Sequence, residues 1–191
     1  YQPGNKHIFK RKFDFKKIRM ASSKGWTGIY TLMDNAEPYE RVFVDPHMDL
    51  QGAVSSGLGR AHIFMAQKHY QDQFKVILDN SAWPGTLNVD LFDSYIENYN
   101  KLRVISGLEK GNIDNSPESV RIHGFEREGK SFGGATSFKA KISTDKLNWI
   151  ECAILIPDLT RHVKTAEIIS KSFLRESMPC KNGDNVFITL S

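Results

Sequence analysis

From residue 50 to the end of the chain, short apolar or alternating runs recur with turn residues between them, and only one stretch repeats at helical spacing. Strands are expected over 50–57, 86–92, 120–125, 136–142, 149–156, 167–172 and 186–190. Gly57-Leu58-Gly59, Pro84-Gly85 and Phe132-Gly133-Gly134 punctuate them, and Asn182-Gly183 carries a hairpin signal. The helix is expected over roughly 66–79, where Tyr70, Phe74, Ile77 and Leu78 share a face. Strands that do not alternate with helices exclude a doubly wound sheet. Six or seven short strands with one good helix predict a mainly β protein, a small closed or nearly closed barrel. Residues 93–118 are rich in Gly, Asn, Ser, Asp and Pro and are expected to form a long surface excursion or insertion.

A length of 191 residues suits one domain with an appendage. No run of eighteen apolar residues occurs, so a soluble, cytoplasmic protein with no membrane partner is expected. Cys152 and Cys180 make no disulfide framework, and Cys152 lies in an apolar run where a buried hydrophobe is expected. Charge is unevenly spread. Residues 1–24 hold eight Lys and Arg against Asp14, a balance of +7 that leaves −3 for the rest of the +4 chain. With Phe9, Phe13 and Phe15 interleaved, this arm reads either as a tract for nucleic acid or another polyanion, or as a half-buried strand with its lysines in water. Residues 1–48 are therefore set apart as a basic N-terminal extension, packed on a barrel domain of residues 49–191.

Several chemistries are excluded by missing motifs. There is no G-x-x-x-x-G-K-[ST] loop, and Gly57-Leu58-Gly59-Arg60-Ala61-His62 lacks both the last glycine and the βαβ context of a dinucleotide fingerprint. The six histidines show no metal-ligand spacing, and no G-x-S-x-G elbow exists.

Trp83-Pro84-Gly85-Thr86-Leu87-Asn88 is more promising. Thr86 and Asn88 stand two residues apart on a strand, so their oxygens share a face. They read either as neutral ligands for a hard cation such as Mg²⁺ carried in by a nucleotide, or as ordinary polar residues on a solvated face. Gly57 to Arg60 could offer backbone N–H groups and a guanidinium to phosphate. Each further polar turn, at Thr160, Glu167 and Lys171 to Arg175, also has a bland reading as turn chemistry.

Taken in order, the motifs resemble the archaeal CTP-dependent riboflavin kinases. The likeness runs from Val54-Ser55-Ser56-Gly57-Leu58-Gly59 through Pro84-Gly85-Thr86-Leu87-Asn88 and Phe132-Gly133-Gly134 to Glu167-Ile168-Ile169, Leu174-Arg175-Glu176 and Asn182-Gly183-Asp184. It covers about residues 50–190. The resemblance implies a six-stranded cradle-loop (RIFT-like) β-barrel that transfers the γ-phosphoryl of CTP to the 5′-hydroxyl of riboflavin, giving FMN and CDP. It implies one Mg²⁺ on Thr86 and Asn88, and no tightly bound organic cofactor beyond riboflavin or FMN. Gly57, Leu58, Gly59, Arg60, Ala61 and His62 would line the nucleotide site together with Lys171, Ser172, Phe173, Leu174 and Arg175. Thr160 and Glu167 would hold the flavin, with Glu167 also accepting the hydroxyl proton.

The chain departs from the family pattern where Arg60 and Ala61 replace an acid and a third glycine. If position 61 needed φ > 0, alanine there would cost about 1 kcal/mol. One residue is also missing between Thr160 and Glu167. A monomer is expected. The alternatives are a barrel that binds flavin or nucleotide without turnover, and a nucleic-acid-binding regulator using residues 1–24.

Overall fold

The computed structural model describes residues 29–34, 36–42, 48–113 and 116–190. The chain divides into two compact units, Tyr1–Pro46 and His47–Ser191. In the first, strands β1 (Ile29–Asp34) and β2 (Ala36–Val42) pair antiparallel, with Ile29 opposite Val42. The expectations placed on residues 1–24 lie outside the described residues.

The second unit is a closed barrel of six antiparallel strands. These are β3 (Asp49–Ser55), β4 (Leu87–Leu91), β8 (Ala135–Ser143), β9 (Ile150–Pro157), β10 (Thr165–Ile169) and β11 (Asn185–Leu190), joined in the order β11-β3-β4-β10-β9-β8 and back to β11. Three short strands complete the set: β5 (Ser119–Ile122), β6 (Phe125–Arg127) and β7 (Lys130–Phe132). The nine residues of β8 make closure possible. One edge pairs with β9 throughout, while the other is shared, Ala135 to Phe138 taking β5 and Ala140 to Ser143 taking β11. Full closure leaves none of the six barrel strands as a free edge.

Alternation fills the interior. Leu50, Val54, Leu87, Val89, Phe138, Ile142, Ile154, Ile156, Ala166, Ile168, Val186 and Ile188 form one buried cluster. β9 is apolar on both faces because helix α2 (Lys68–Leu78) covers its outer side. There Ala153, Leu155 and Ile169 pack with Tyr70, Phe74 and Ile77. The helical stripe seen in the sequence is thus core packing. Among the described residues no helix is long and apolar enough to cross a membrane.

Several expectations need correction. The segment 93–118 is not a surface excursion through its first half. A 3-10 turn at Asp93–Tyr95 leads into α3 (Ile96–Ile105), whose Tyr99 and Leu102 join the barrel core and whose Arg103 is buried. Its buried stripe is narrow and includes an arginine, so polar residues mask the helical period. The run 120–125 is two strands, because Gly124 crosses the Phe132–Gly134 backbone so closely that a methyl group there would lie 2.3 Å from the Phe132 carbonyl oxygen. Glu167 lies inside β10 rather than at its start, and β10 stops at Ile169, so Lys171 to Phe173 form a loop entering α4 (Leu174–Ser177), which begins with Leu174 and Arg175. Asn182-Gly183 joins α4 to β11 and is therefore a turn, not a hairpin, with Gly183 at φ 90°. The first strand ends at Ser55 and β4 begins at Leu87.

Candidate functional site

Sheet register builds the centre of the site. Ser55 on β3 stands opposite Asn88 on β4, Asn88 opposite Glu167 on β10, and Glu167 opposite Leu155 on β9. Because Leu87, Val89, Ala166 and Ile168 face inward, this row lies on the outer face. Directly opposed residues have Cβ atoms about 4.5–5.5 Å apart, so the carboxamide and the carboxylate are immediate neighbours. Thr86, just before β4, donates its hydroxyl to Asn88 Oδ1 at 3.2 Å.

The glycine turn after β3 closes over this row. A methyl group at Gly57 would lie 2.7 Å from Asn88 Nδ2, so glycine is what admits the carboxamide. Gly59 takes φ +66°, and His62 Nδ1 lies 2.8 Å from its carbonyl oxygen. Arg60 then caps the five-residue helix α1 (Ala61–Met65). Ala61 is its first helical residue and has no positive φ, so the strain anticipated at this departure from the family pattern is absent. Leu58 and Arg60 project into solvent.

A third segment is lashed to the turn. Arg175 Nη2 donates to the Ser55 carbonyl at 3.1 Å and to Asn182 Oδ1 at 2.8 Å, while Asn182 Nδ2 donates to Ser56 Oγ at 2.7 Å. The Gly183 N–H reaches the Val54 carbonyl at 2.8 Å. Beside Thr86 a shallow cleft is lined by Trp83, Ser170, Ser172, Phe173 and Arg175. The Trp83 and Phe173 rings stack at 5.3 Å. Leu174 points into the barrel core, so this position has its backbone to offer a ligand, while Lys171 is exposed.

The other side of Glu167 is bounded by residues 158–164, a strap between β9 and β10. Thr160 accepts a hydrogen bond from the His162 N–H at 3.2 Å through Oγ1. Phe132 stacks on Phe125 at 4.6 Å and meets Phe64 edge-on, while Gly133 lies against Leu159. Phe64, Phe125, Phe132 and Leu159 thus gather around the Phe132–Gly133 turn. Burial pushes the Glu167 carboxyl above its ordinary value, and a charge on His162 pulls it partly back. Thr160 is not in the Asn88–Glu167 row.

The row passes a chemical test for a metal. Thr86 Oγ1 and Asn88 Oδ1 are neighbouring neutral oxygens, the donor type a hard cation accepts. Among the described residues no cluster of three or more His, Cys, Asp or Glu could hold a metal alone. An ion here would complete its shell from water and ligand phosphate.

The partners of Asn182 and Trp83, and the burial of Tyr99 and Arg103, are not visible in the sequence. Asn182 was visible as turn chemistry and Trp83 opened the Thr86 motif, but their partners are distant in sequence. Tyr99 and Arg103 were hidden with their helix.

The family model for CTP-dependent riboflavin kinases, described as "Domain of unknown function DUF120", matches residues 54–190. The chain belongs to this family. Proteins named riboflavin kinase are similar to it: that of Picrophilus torridus at 29% identity over 71% of this chain and 54% of the relative. The one from Thermoplasma acidophilum is 28% identical over 90% of this chain and 70% of its own length. For Methanosarcina acetivorans the figures are 31%, 83% and 61%. This chain therefore spans about half to two thirds of the length of these relatives.

Proposed function

We propose that this chain is a CTP-dependent riboflavin kinase, forming FMN and CDP. The observation that carries the reading is the cross-strand row: Gly57 pressed on Asn88, Thr86 bonded to Asn88, and half-buried Glu167 directly opposite. It supports the reading because a glycine turn able to bind phosphate, two neutral oxygens able to hold a cation and a carboxylate able to accept a proton are neighbours there. The family match and the similar riboflavin kinases supply the substrate class.

Phosphoryl transfer asks for in-line placement and charge neutralisation more than covalent help. Thr86 Oγ1 and Asn88 Oδ1 would hold Mg²⁺, which supplies neutralisation of the triphosphate. Backbone N–H groups of the Gly57–Arg60 turn face the phosphates, as turns of this kind do in anion sites. The segment from Ser172 to Arg175 borders the cleft where the nucleoside would lie, with Trp83 stacked on Phe173 as its apolar wall. Glu167 accepts a hydrogen bond from the ribityl 5′-hydroxyl and takes its proton as that oxygen bonds to the γ-phosphorus. The bond from phosphorus to the β–γ bridging oxygen breaks, and CDP leaves. A carboxyl raised by burial suits this proton acceptance. The rim of Phe132 and Leu159 offers an apolar face to the isoalloxazine, and Thr160 a polar contact at its edge.

The test is a donor profile. Protein, riboflavin and Mg²⁺ are incubated with CTP, UTP, ATP or GTP in turn and the flavins are separated. FMN formed best with CTP is expected. Riboflavin unchanged with every donor would leave a barrel without turnover, and the proposal would fail.

A further inference from the structure

The strap of residues 158–164 is held from a helix that borders neither end of it in sequence. Arg103 on α3 is only 5% exposed. Its Nη1 donates to the His162 carbonyl at 2.8 Å and its Nη2 to Glu109 Oε1 at 2.9 Å, while its Nε is buried without a partner. One turn earlier, Tyr99 donates its hydroxyl to the Thr165 carbonyl at 3.1 Å. Burial pushes the Tyr99 phenol up to about 12, so it remains a donor at neutral pH. The opposite end is tied by the Asp158 N–H to the Gly134 carbonyl at 3.0 Å and by a two-pronged Arg121–Asp158 pair. Between these anchors the strap presents Thr160, with Leu159 83% and Val163 51% exposed.

A buried guanidinium is a costly way to fill space, and an apolar side chain would pack a helix on a barrel more cheaply. What Arg103 adds is direction. The His162 carbonyl it binds lies next to two exposed strap residues, and the adjacent His162 N–H holds the Thr160 hydroxyl.

We propose that Arg103, seconded by Tyr99, is a positioning residue for the flavin half of the site, clasping the strap so that Thr160 and Leu159 face the bound riboflavin. This rests on the reading of the site as a riboflavin kinase. Arg103 touches no substrate; it acts through the His162 backbone.

The test compares the full chain with Arg103→Met, Arg103→Lys and Tyr99→Phe. Flavin fluorescence quenching gives the riboflavin Kd without nucleotide or metal, and calorimetry gives the CTP Kd. Arg103→Met is expected to weaken riboflavin about tenfold or more, the scale of a hydrogen bond to a charged group, while CTP stays within about twofold. Arg103→Lys should recover part of that loss, and Tyr99→Phe should weaken riboflavin about two- to fivefold. Riboflavin and CTP weakening together, or riboflavin within about twofold in both Arg103→Met and Tyr99→Phe, overturns the proposal. Hydrogen exchange at the Thr160 and His162 amides reads the clasp without any flavin. Faster exchange there in Arg103→Met supports it and unchanged exchange overturns it, even if the unmodified chain binds no riboflavin and the functional reading has failed. Should Arg103→Met not fold, Tyr99→Phe, which keeps its ring, carries both readouts.

Discussion

Gly57 and Gly52 show how differently two glycines on one strand and its turn can matter. At Gly57 the atom in the way of a methyl group is the end of the Asn88 carboxamide, which can swing aside. At Gly52 it is the Asp90 carbonyl oxygen, 2.3 Å away, which cannot move without breaking the β3–β4 ladder. Gly57→Ala should therefore lose about 10²-fold in kcat/KM with a Tm change of only about 2 °C, since displacing the proposed Asn88 ligand by about an ångström costs that much. Gly52→Ala should lose about 1–3 kcal/mol of stability in denaturant unfolding. Replacing Thr86 and Asn88 together by Ala should cost about 10³-fold in turnover with an unchanged far-UV spectrum. A near-normal rate would remove the metal assignment. The Thr86–Asn88 pair was legible because a period of two is local. The contact of Gly57 with Asn88 was not, because it depends on which strands pair and in which register.

The β8–β9 hairpin turn depends on one carboxylate. Asp145 accepts N–H bonds from Leu147 and Asn148 at 2.8 Å each, a bond from the Asn148 side chain at 2.7 Å and one from Ser143 Oγ at 2.9 Å. These donors hold its carboxyl well below the usual carboxylate range, with the Asn148 backbone bond contributing most. A folded-state value below the unfolded one adds stability that is present above about pH 4 and is lost as pH falls through the lowered value. Asp145→Asn should thus lower Tm at pH 7, and the gap from the unmodified protein should close as pH drops below about 4. A gap independent of pH would assign the loss to the Asn148 side-chain bond that only the second carboxylate oxygen accepts, rather than to charge. At this scale the sequence was informative wherever burial followed a single period, as in α2 and β11. It failed for α3, where Tyr99, Leu102 and Arg103 form a stripe too narrow and too polar to stand out, and at β6–β7, where Phe125 and Phe132 stack within a hairpin of three-residue strands.

Barrel closure makes the second unit one cooperative body. Thr189 pairs with Asp49 on one side and Lys141 on the other, and the Leu190 N–H reaches the Met48 carbonyl at 3.2 Å, so the last strand is bound to both the first and the longest strand of the barrel. Both buried clusters are drawn, among the described residues, from positions 48 onward, and the family match begins at residue 54. A fragment of residues 47–191 should therefore unfold in a single transition and should form FMN. The basic arm gives this experiment a second arm, because a net +7 over 24 residues would bind polyanions with a steep salt dependence. If the full chain binds single-stranded nucleic acid at low salt and the fragment does not, while both phosphorylate riboflavin, the arm serves a partner separate from the barrel's chemistry. A fragment that folds but forms no FMN would instead make residues 1–46 part of the catalytic unit, and the assignment of the whole site to the barrel would fall.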